Sequence, residues 1–449
     1  MLADRKDEVG PVDADRSSAR RPAALRLAGL FLILLLVCAA VVALHVDRNP
    51  ALSVLDEFAY ADYLHKIDDG HWLVRHGEVS GQEALRDLAC RGYAPSTWND
   101  RPPCDAPSYD PEVFPNAGID SADIHPPTYF LVTYAGARLV RAVGLQDDLI
   151  DAGRLFGAVW MAAGLLALWC LVRTLGAGLA ASAAGLALVA SGPMLLQQWH
   201  YLTPDAANVL VGALVMLGVV RWERSGRGWA VLVAVGALAM AVKAPNVVVV
   251  VAGAGYLLVR ALLRSHGTTD AGLRSAREYL SATAALVGGA AATSLVWLVV
   301  RAATALPGTT PMEEAERTGF LHPAQVIENL ARFVTPWDRE PSSLYPLAVI
   351  TSYLFVGSLL VVLATVPRRD RRYALALVVG VVLLVGPLLL VAANFLVRGT
   401  YAIVEPRYGT TLVPVECAIA ASLWSGRSLV AVGALAVFAP AAVLLRLLA

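Results

Sequence analysis

The sequence predicts an all-α polytopic membrane protein with about eleven transmembrane helices and a long extracytoplasmic first loop bearing juxtamembrane helices. Three observations predict it. Hydrophobic residues fill 57% of the 449 positions and charged residues only 16%, against about 25% charge in a soluble domain. Runs such as 27–46 and 373–395 are apolar for about the 20 residues that hydrocarbon requires. Arginines gather on alternate connections between such runs, as the positive-inside rule demands.

The first run follows a polar, Arg-bearing tail. It is long and has no small-residue cleavage site before His45, so it reads as an uncleaved first helix. Further spans are expected at 151–172, 178–196, 205–222, 228–243, 246–263, 280–303, 343–366, 372–396, 409–424 and 428–448. The stretch 126–145 carries Arg138 and Arg141. Its apolar part covers about 24 Å at 1.5 Å per residue, short of the hydrocarbon thickness of about 30 Å. Laid on the outer surface, it leaves Arg173, Arg221, Arg224, Arg227, Arg260, Arg264, Arg274 and Arg277 inside, with Arg368, Arg369, Arg371, Arg372 and Arg427. The tail residues Arg20, Arg21 and Arg26 then lie inside too. Made to span, the stretch would push every later cluster outside.

The expected layout is therefore a cytoplasmic tail (1–26) and a transmembrane domain (27–449) in the plasma (inner) membrane. Its large extracytoplasmic segments are 45–150 and 304–342, with helices at 57–69 and 323–334 and a short turn at 197–204. Trp72, Trp98, Trp199 and Trp337 are expected in an interfacial belt.

Several functions are excluded. A formal net charge of zero gives no case for nucleic acid, and neither a Walker loop nor a G-x-G-x-x-G after a strand is present. Of five cysteines, Cys38, Cys170 and Cys417 lie in apolar runs as small hydrophobes. Cys90 and Cys104 share a polar, Pro-rich loop, where an extracytoplasmic setting makes a disulfide the expectation. No second ligand pair at metal spacing accompanies them.

The topology gathers ionisable residues from distant parts of the chain at one membrane face. Asp56 and Glu57 follow the first span, and His125 precedes a double proline. His200, Tyr201 and Asp205 sit at the mouth of the fourth span. Lys243, one of three lysines, ends the fifth, and Glu405, Arg407 and Tyr408 precede the tenth. Each has an ordinary alternative: helix-start acids for Asp56, Glu57 and Asp205, a snorkelling Lys243, or an Arg407 paired with Glu405. Ionisable groups near the membrane nevertheless mark functional sites by default. Two carboxylates beside a lysine and an arginine suit general-base chemistry next to an anionic leaving group.

In order and spacing these residues resemble the GT-C type glycosyltransferases, which include protein O-mannosyltransferases and lipid A aminoarabinose transferases. Asp56-Glu57 is similar to the acidic pair that opens their first loop, and His125-Pro126-Pro127-Thr128-Tyr129 to the H-P-P-[LT]-Y segment of their juxtamembrane helix. Thr203-Pro204-Asp205, Lys243 and Pro406-Arg407-Tyr408 resemble later polar positions. The likeness covers residues 27 to about 265, plus the late motif.

The resemblance implies a GT-C-like core and a polyprenyl-phosphate sugar as donor, with a cell-envelope glycan, lipid or protein as acceptor. It implies that Asp56 deprotonates the acceptor and Glu57 orients the site, and that Lys243 and Arg407 hold the departing phosphate with His125 as an added donor. Asp205, His200, Tyr201 and Tyr408 would position substrate. No cofactor is called for: paired acids leave room for a divalent cation, but no multi-carboxylate cluster supports one. The alternatives are a transporter or flippase of lipid-linked substrates, which would favour mid-membrane charges and related halves, and a catalytically inactive scaffold of the same fold.

Overall fold

The computed structural model describes residues 13–54, 56–94, 101–265, 274–307, 323–334, 345–398 and 404–425, with 432–433 and 441. Helix α1 (Asp13–Arg48) starts well ahead of the apolar run at 27. Cys38, Val42 and Val46 are buried at a spacing of four, while Leu32, Ile33, Leu36 and Val37 are exposed. The buried stripe is the face of a helix that meets its neighbour on one side only; that neighbour is α5.

After α1 comes a two-residue parallel pair, β1 (Leu52–Ser53) with β2 (Tyr93–Ala94), in which Leu52 lies opposite Tyr93. Between these strands stand α2 (Glu57–Asp68) and α3 (Gln82–Arg91). Cys90 and Cys104 form the expected disulfide. Lys66 of α2 meets Asp62, Glu78 and Asp120 at 2.7, 3.3 and 3.4 Å, which ties α2 to the loop ahead of His125.

Helix α4 (Thr128–Ala142) begins behind the double proline, as expected. Its 15 residues reach about 22 Å, too short to cross hydrocarbon. It packs on α5 (Leu149–Thr174) and α2.

The next expected span is not one helix. Helix α6 (Leu179–Ala190) and α7 (Pro193–His200) meet at a bend of 66°, because Gly192-Pro193 breaks the backbone ladder. The helix thus runs on to His200, and the turn expected at 197–204 shrinks to the residues after it. Trp199 is fully buried, its indole N–H donating to the Ala206 carbonyl; it is a core residue and not part of an interfacial belt. Trp98 and Trp337 lie outside the described residues.

The remaining helices are α8 (Asn208–Ser225), α9 (Trp229–Val242), α10 (Val247–Ser265), α11 (Ala276–Thr304), α12 (Pro323–Val334), α13 (Tyr345–Thr365), α14 (Arg371–Arg398) and α15 (Val413–Trp424). Near the ends of α8 and α10 and the start of α11, buried Glu223 accepts from Tyr256, Arg260 and Tyr279 at 2.5, 2.7 and 3.0 Å, joining the three helices.

Six helices of the described residues are long and apolar enough to cross a membrane, or seven with the bent pair counted as one span. Helix Trp229–Val242 and the stretch Val349–Thr365 of α13 are apolar but shorter. The first turn of the span expected at 409–424 is 3-10 backbone, and nearly all of 428–448 lies outside the described residues. The chain is a mostly helical, multi-pass integral membrane protein.

Candidate active site

Helix α2 opens on Asp56, whose φ of 63° lies in the left-handed region that side chains other than glycine seldom adopt. Its carboxylate makes no capping bond to the helix. Instead Asp56 Oδ2 accepts from Arg407 Nη2 at 2.5 Å. Arg407 stands in a 3-10 turn (Pro406–Leu412) that leads into α15. A Cβ at Gly212 of α8 would collide with the Thr411 carbonyl, so the glycine lets this turn lie directly on α8.

From Arg407 the charges continue inward. Its Nε lies 3.6 Å from Asp205 Oδ2. Asp205 Oδ1 accepts from Lys243 Nζ at 2.7 Å and from Asn208 Nδ2 at 3.0 Å, while Oδ2 accepts from the Thr203 hydroxyl at 3.1 Å. Lys243 is the extended residue between α9 and the turn Ala244–Asn246; the Pro245 break aims it across the bundle instead of along a helix end. The Tyr408 ring lies 5.1 Å from Lys243 Nζ and 5.8 Å from the Arg407 guanidinium. Asn208 also bonds the Arg407 carbonyl and Thr410, tying α8 to the turn.

Asp56, Arg407, Asp205 and Lys243 thus form a line of alternating charge. Asp205 and Lys243 are each 1% exposed and Arg407 7%, whereas the Asp56 side chain is 42% exposed. Asp56 is therefore the solvent-exposed member of the line. Burial opposes the charge on Arg407, but Asp56 and Asp205 outweigh it, and the guanidinium holds its proton more tightly than usual.

Glu57 points the other way. Its two oxygens accept from Ser53 N, Leu202 N, and the Nε and Nη2 of Arg154, all between 2.7 and 2.8 Å. Glu57 and Arg154 are both fully buried, and Arg154 also holds the Asn49 and Ala51 carbonyls. The ends of α1 and α7, the start of α2 and the first turns of α5 are thereby locked together just behind Asp56.

His200 and Tyr201 belong to this lock and not to the charged line. His200 stacks on His45 at 4.2 Å, and Tyr201 meets His45 and the Arg154 guanidinium, each at 5.0 Å. His125 is buried, with Nε2 3.2 Å from the Tyr60 hydroxyl. No group of three or more His, Cys, Asp or Glu side chains is arranged to hold a metal among the described residues.

Sequence reasoning does not single out Arg154, Tyr60 or Asn208, and it names Thr203 only as part of the motif around Asp205. Arg154 carried a readable signal, since an arginine inside a span is costly and marks a site by default. Tyr60 had a weaker one, one helical turn after Asp56 in the helix that Asp56 opens. Asn208 looks ordinary until Asp205 is seen to need donors.

Residues 125–297 match the family model described as dolichyl-phosphate-mannose-protein mannosyltransferase. Over that segment, which is less than half of the chain, the sequence is similar to this family of membrane mannosyltransferases. The family segment takes in His125, Arg154, Asp205 and Lys243; Asp56 and Arg407 lie outside it. A solved structure similar to the chain is that of ArnT from Cupriavidus metallidurans bound to undecaprenyl phosphate, at 18% identity and a TM-score of 0.47. The likeness covers 88% of this chain and 59% of that one, so the chain spans about three fifths of that protein's length. No curated protein matches the chain.

Proposed function

We propose that the chain is an inverting glycosyltransferase that moves a sugar from a polyprenyl-phosphate donor to an extracytoplasmic acceptor of the cell envelope. The observation that carries this reading is the bond between Asp56, the exposed carboxylate, and Arg407, the nearest cation of the charged line. A base beside a phosphate-binding cation is what transfer from a sugar phosphate requires. The family match supports the donor class.

In this mechanism Asp56 takes the proton of an acceptor hydroxyl. The oxygen attacks the anomeric carbon from the face opposite the phosphate, the bond from that carbon to the phosphate oxygen breaks, and the phosphate keeps the electron pair. Inversion follows from the single displacement. The donor is a phosphodiester with one negative charge, and the released phosphate monoester gains a second. Asp56 loses its charge at the same moment, so Arg407 can pass from carboxylate to phosphate without being left unpaired. Lys243 holds the phosphate from the inner side, with Asp205 keeping the ammonium in place and Tyr408 lying across both cations. Glu57 orients the start of α2, its oxygens being engaged by four N–H donors.

The reading places the N-terminus and the arginine-rich turns in the cytoplasm, the charged line on the outer side, and α4 along the outer leaflet. It keeps eleven spans, a tail at 1–26, and 45–150 and 304–342 as outer walls of the site.

Protein in nanodiscs, given radiolabelled polyprenyl-phosphate sugars and envelope acceptors, tests the proposal. A new glycosidic bond of inverted configuration is expected. Lipid movement without bond formation would favour a transporter, and binding with neither would favour an inactive scaffold.

A further inference from the structure

Tyr60 is a buried phenol of α2, 1% exposed. It lies one turn after Asp56, its backbone N–H donating to the Asp56 carbonyl, and its phenol is near enough to feel the charges of Asp56, Arg407 and Asp205. Its ring packs against Phe130 and His125, with centroids 5.7 and 5.8 Å away. Its hydroxyl meets His125 Nε2 at 3.2 Å. A phenol oxygen can accept one hydrogen bond and still donate another. With Nε2 of His125 carrying its proton, His125 donates to Tyr60 and the Tyr60 O–H stays available.

We propose that the Tyr60 hydroxyl is a third donor to the departing phosphate, and that His125 is a positioning residue acting through Tyr60. The inference rests on the glycosyl-transfer reading above and changes one role in it, because His125 reaches the phosphate only by way of the phenol. Arg407 and Lys243 each begin with a carboxylate partner. A neutral O–H stabilises the growing phosphate charge with no counter-ion to displace. Burial, and then the charge of Asp56, raise the proton affinity of Tyr60, so it remains a donor throughout. No proton passes to or from it.

Tyr60→Phe keeps the ring packing and removes only the hydroxyl. The expected result is a kcat lower by about 10²-fold, with the donor KM within about twofold and an unchanged melting temperature. His125→Ala should lower kcat similarly, His125→Gln should recover part of it through its amide N–H, and the Tyr60→Phe/His125→Ala double variant should be no worse than Tyr60→Phe. Affinity for farnesyl phosphate, a product analogue, should fall in Tyr60→Phe.

Wild-type kcat and farnesyl phosphate affinity in Tyr60→Phe would overturn the proposal, as would additive losses in the double variant. If the wild-type protein formed no glycosidic bond, the transfer reading itself would fail, while farnesyl phosphate affinity would still report on the Tyr60 contact.

Discussion

Asp56 and Arg407, 351 positions apart in the chain, meet in a 2.5 Å bond between Oδ2 and Nη2. Two local departures from regular structure make it: the left-handed backbone at Asp56 and the 3-10 turn that carries Arg407 onto α8. Backbone strain of this kind persists where the surroundings fix it, and it clusters at functional sites. Arg407→Lys keeps the charge but loses the planar fork that lets one side chain serve a carboxylate and a phosphate together. The expected loss in kcat/KM is about 10²-fold, with little change in melting temperature. A variant as active as wild type would break the link between the bond and the chemistry.

Glu57 stands next to Asp56 in sequence but serves the fold. Removing one partner of a buried ion pair leaves the other charge stranded, at a cost of about 3–5 kcal/mol. Arg154→Ala and Glu57→Gln should each lower the melting temperature in detergent sharply, while Asp56→Asn should not. A Glu57→Gln variant as stable as wild type would contradict this division of labour.

Much of this arrangement was legible in the sequence, and the exceptions have physical causes. Composition and run length pointed to a polytopic membrane protein, and the helix behind Pro126-Pro127, the helix at 323–334 and the break after Lys243 were read from proline placement and periodicity. The bend between α6 and α7 was not, because the apolar run continues through Gly192-Pro193 and hydropathy does not register a change of direction. For the charged residues, the topology assigned Asp56, Asp205, Lys243 and Arg407 to one face, and the structure joins them in one line. It separates Glu57, His200 and Tyr201 from that line. Adjacent residues on a helix point about 100° apart, so a shared membrane face left open which of them meet.

The loop in front of the site carries its own pH dependence. His65 of α2 lies 2.7 Å from Asp87 and 3.3 Å from Glu83, both on α3. Burial opposes charging of the ring, but the Asp87 bond and the charges of Asp87, Glu83 and Asp62 prevail, and its pKa is raised. A pKa raised by folding stabilises the fold fully below the unfolded value of about 6.5, and that contribution fades as pH rises through the folded value. The melting-temperature gap between wild type and His65→Gln should be wide near pH 5.5 and narrow well above the folded value. A gap that widens with pH would show that the pair does not act as a charged contact.

The orientation is open to labelling. A tag in the turn at 367–372, which joins α13 to α14, should react only when the cytoplasmic side is opened. Labelling from outside intact cells would reverse the layout and move the charged line to the cytoplasm.

The most direct test of the central claim is single-turnover transfer by Asp56→Asn in nanodiscs, with melting temperature and donor binding measured on the same sample. The account predicts a folded protein that binds the donor and transfers sugar about 10²–10⁴-fold more slowly. Transfer at the wild-type rate would contradict it.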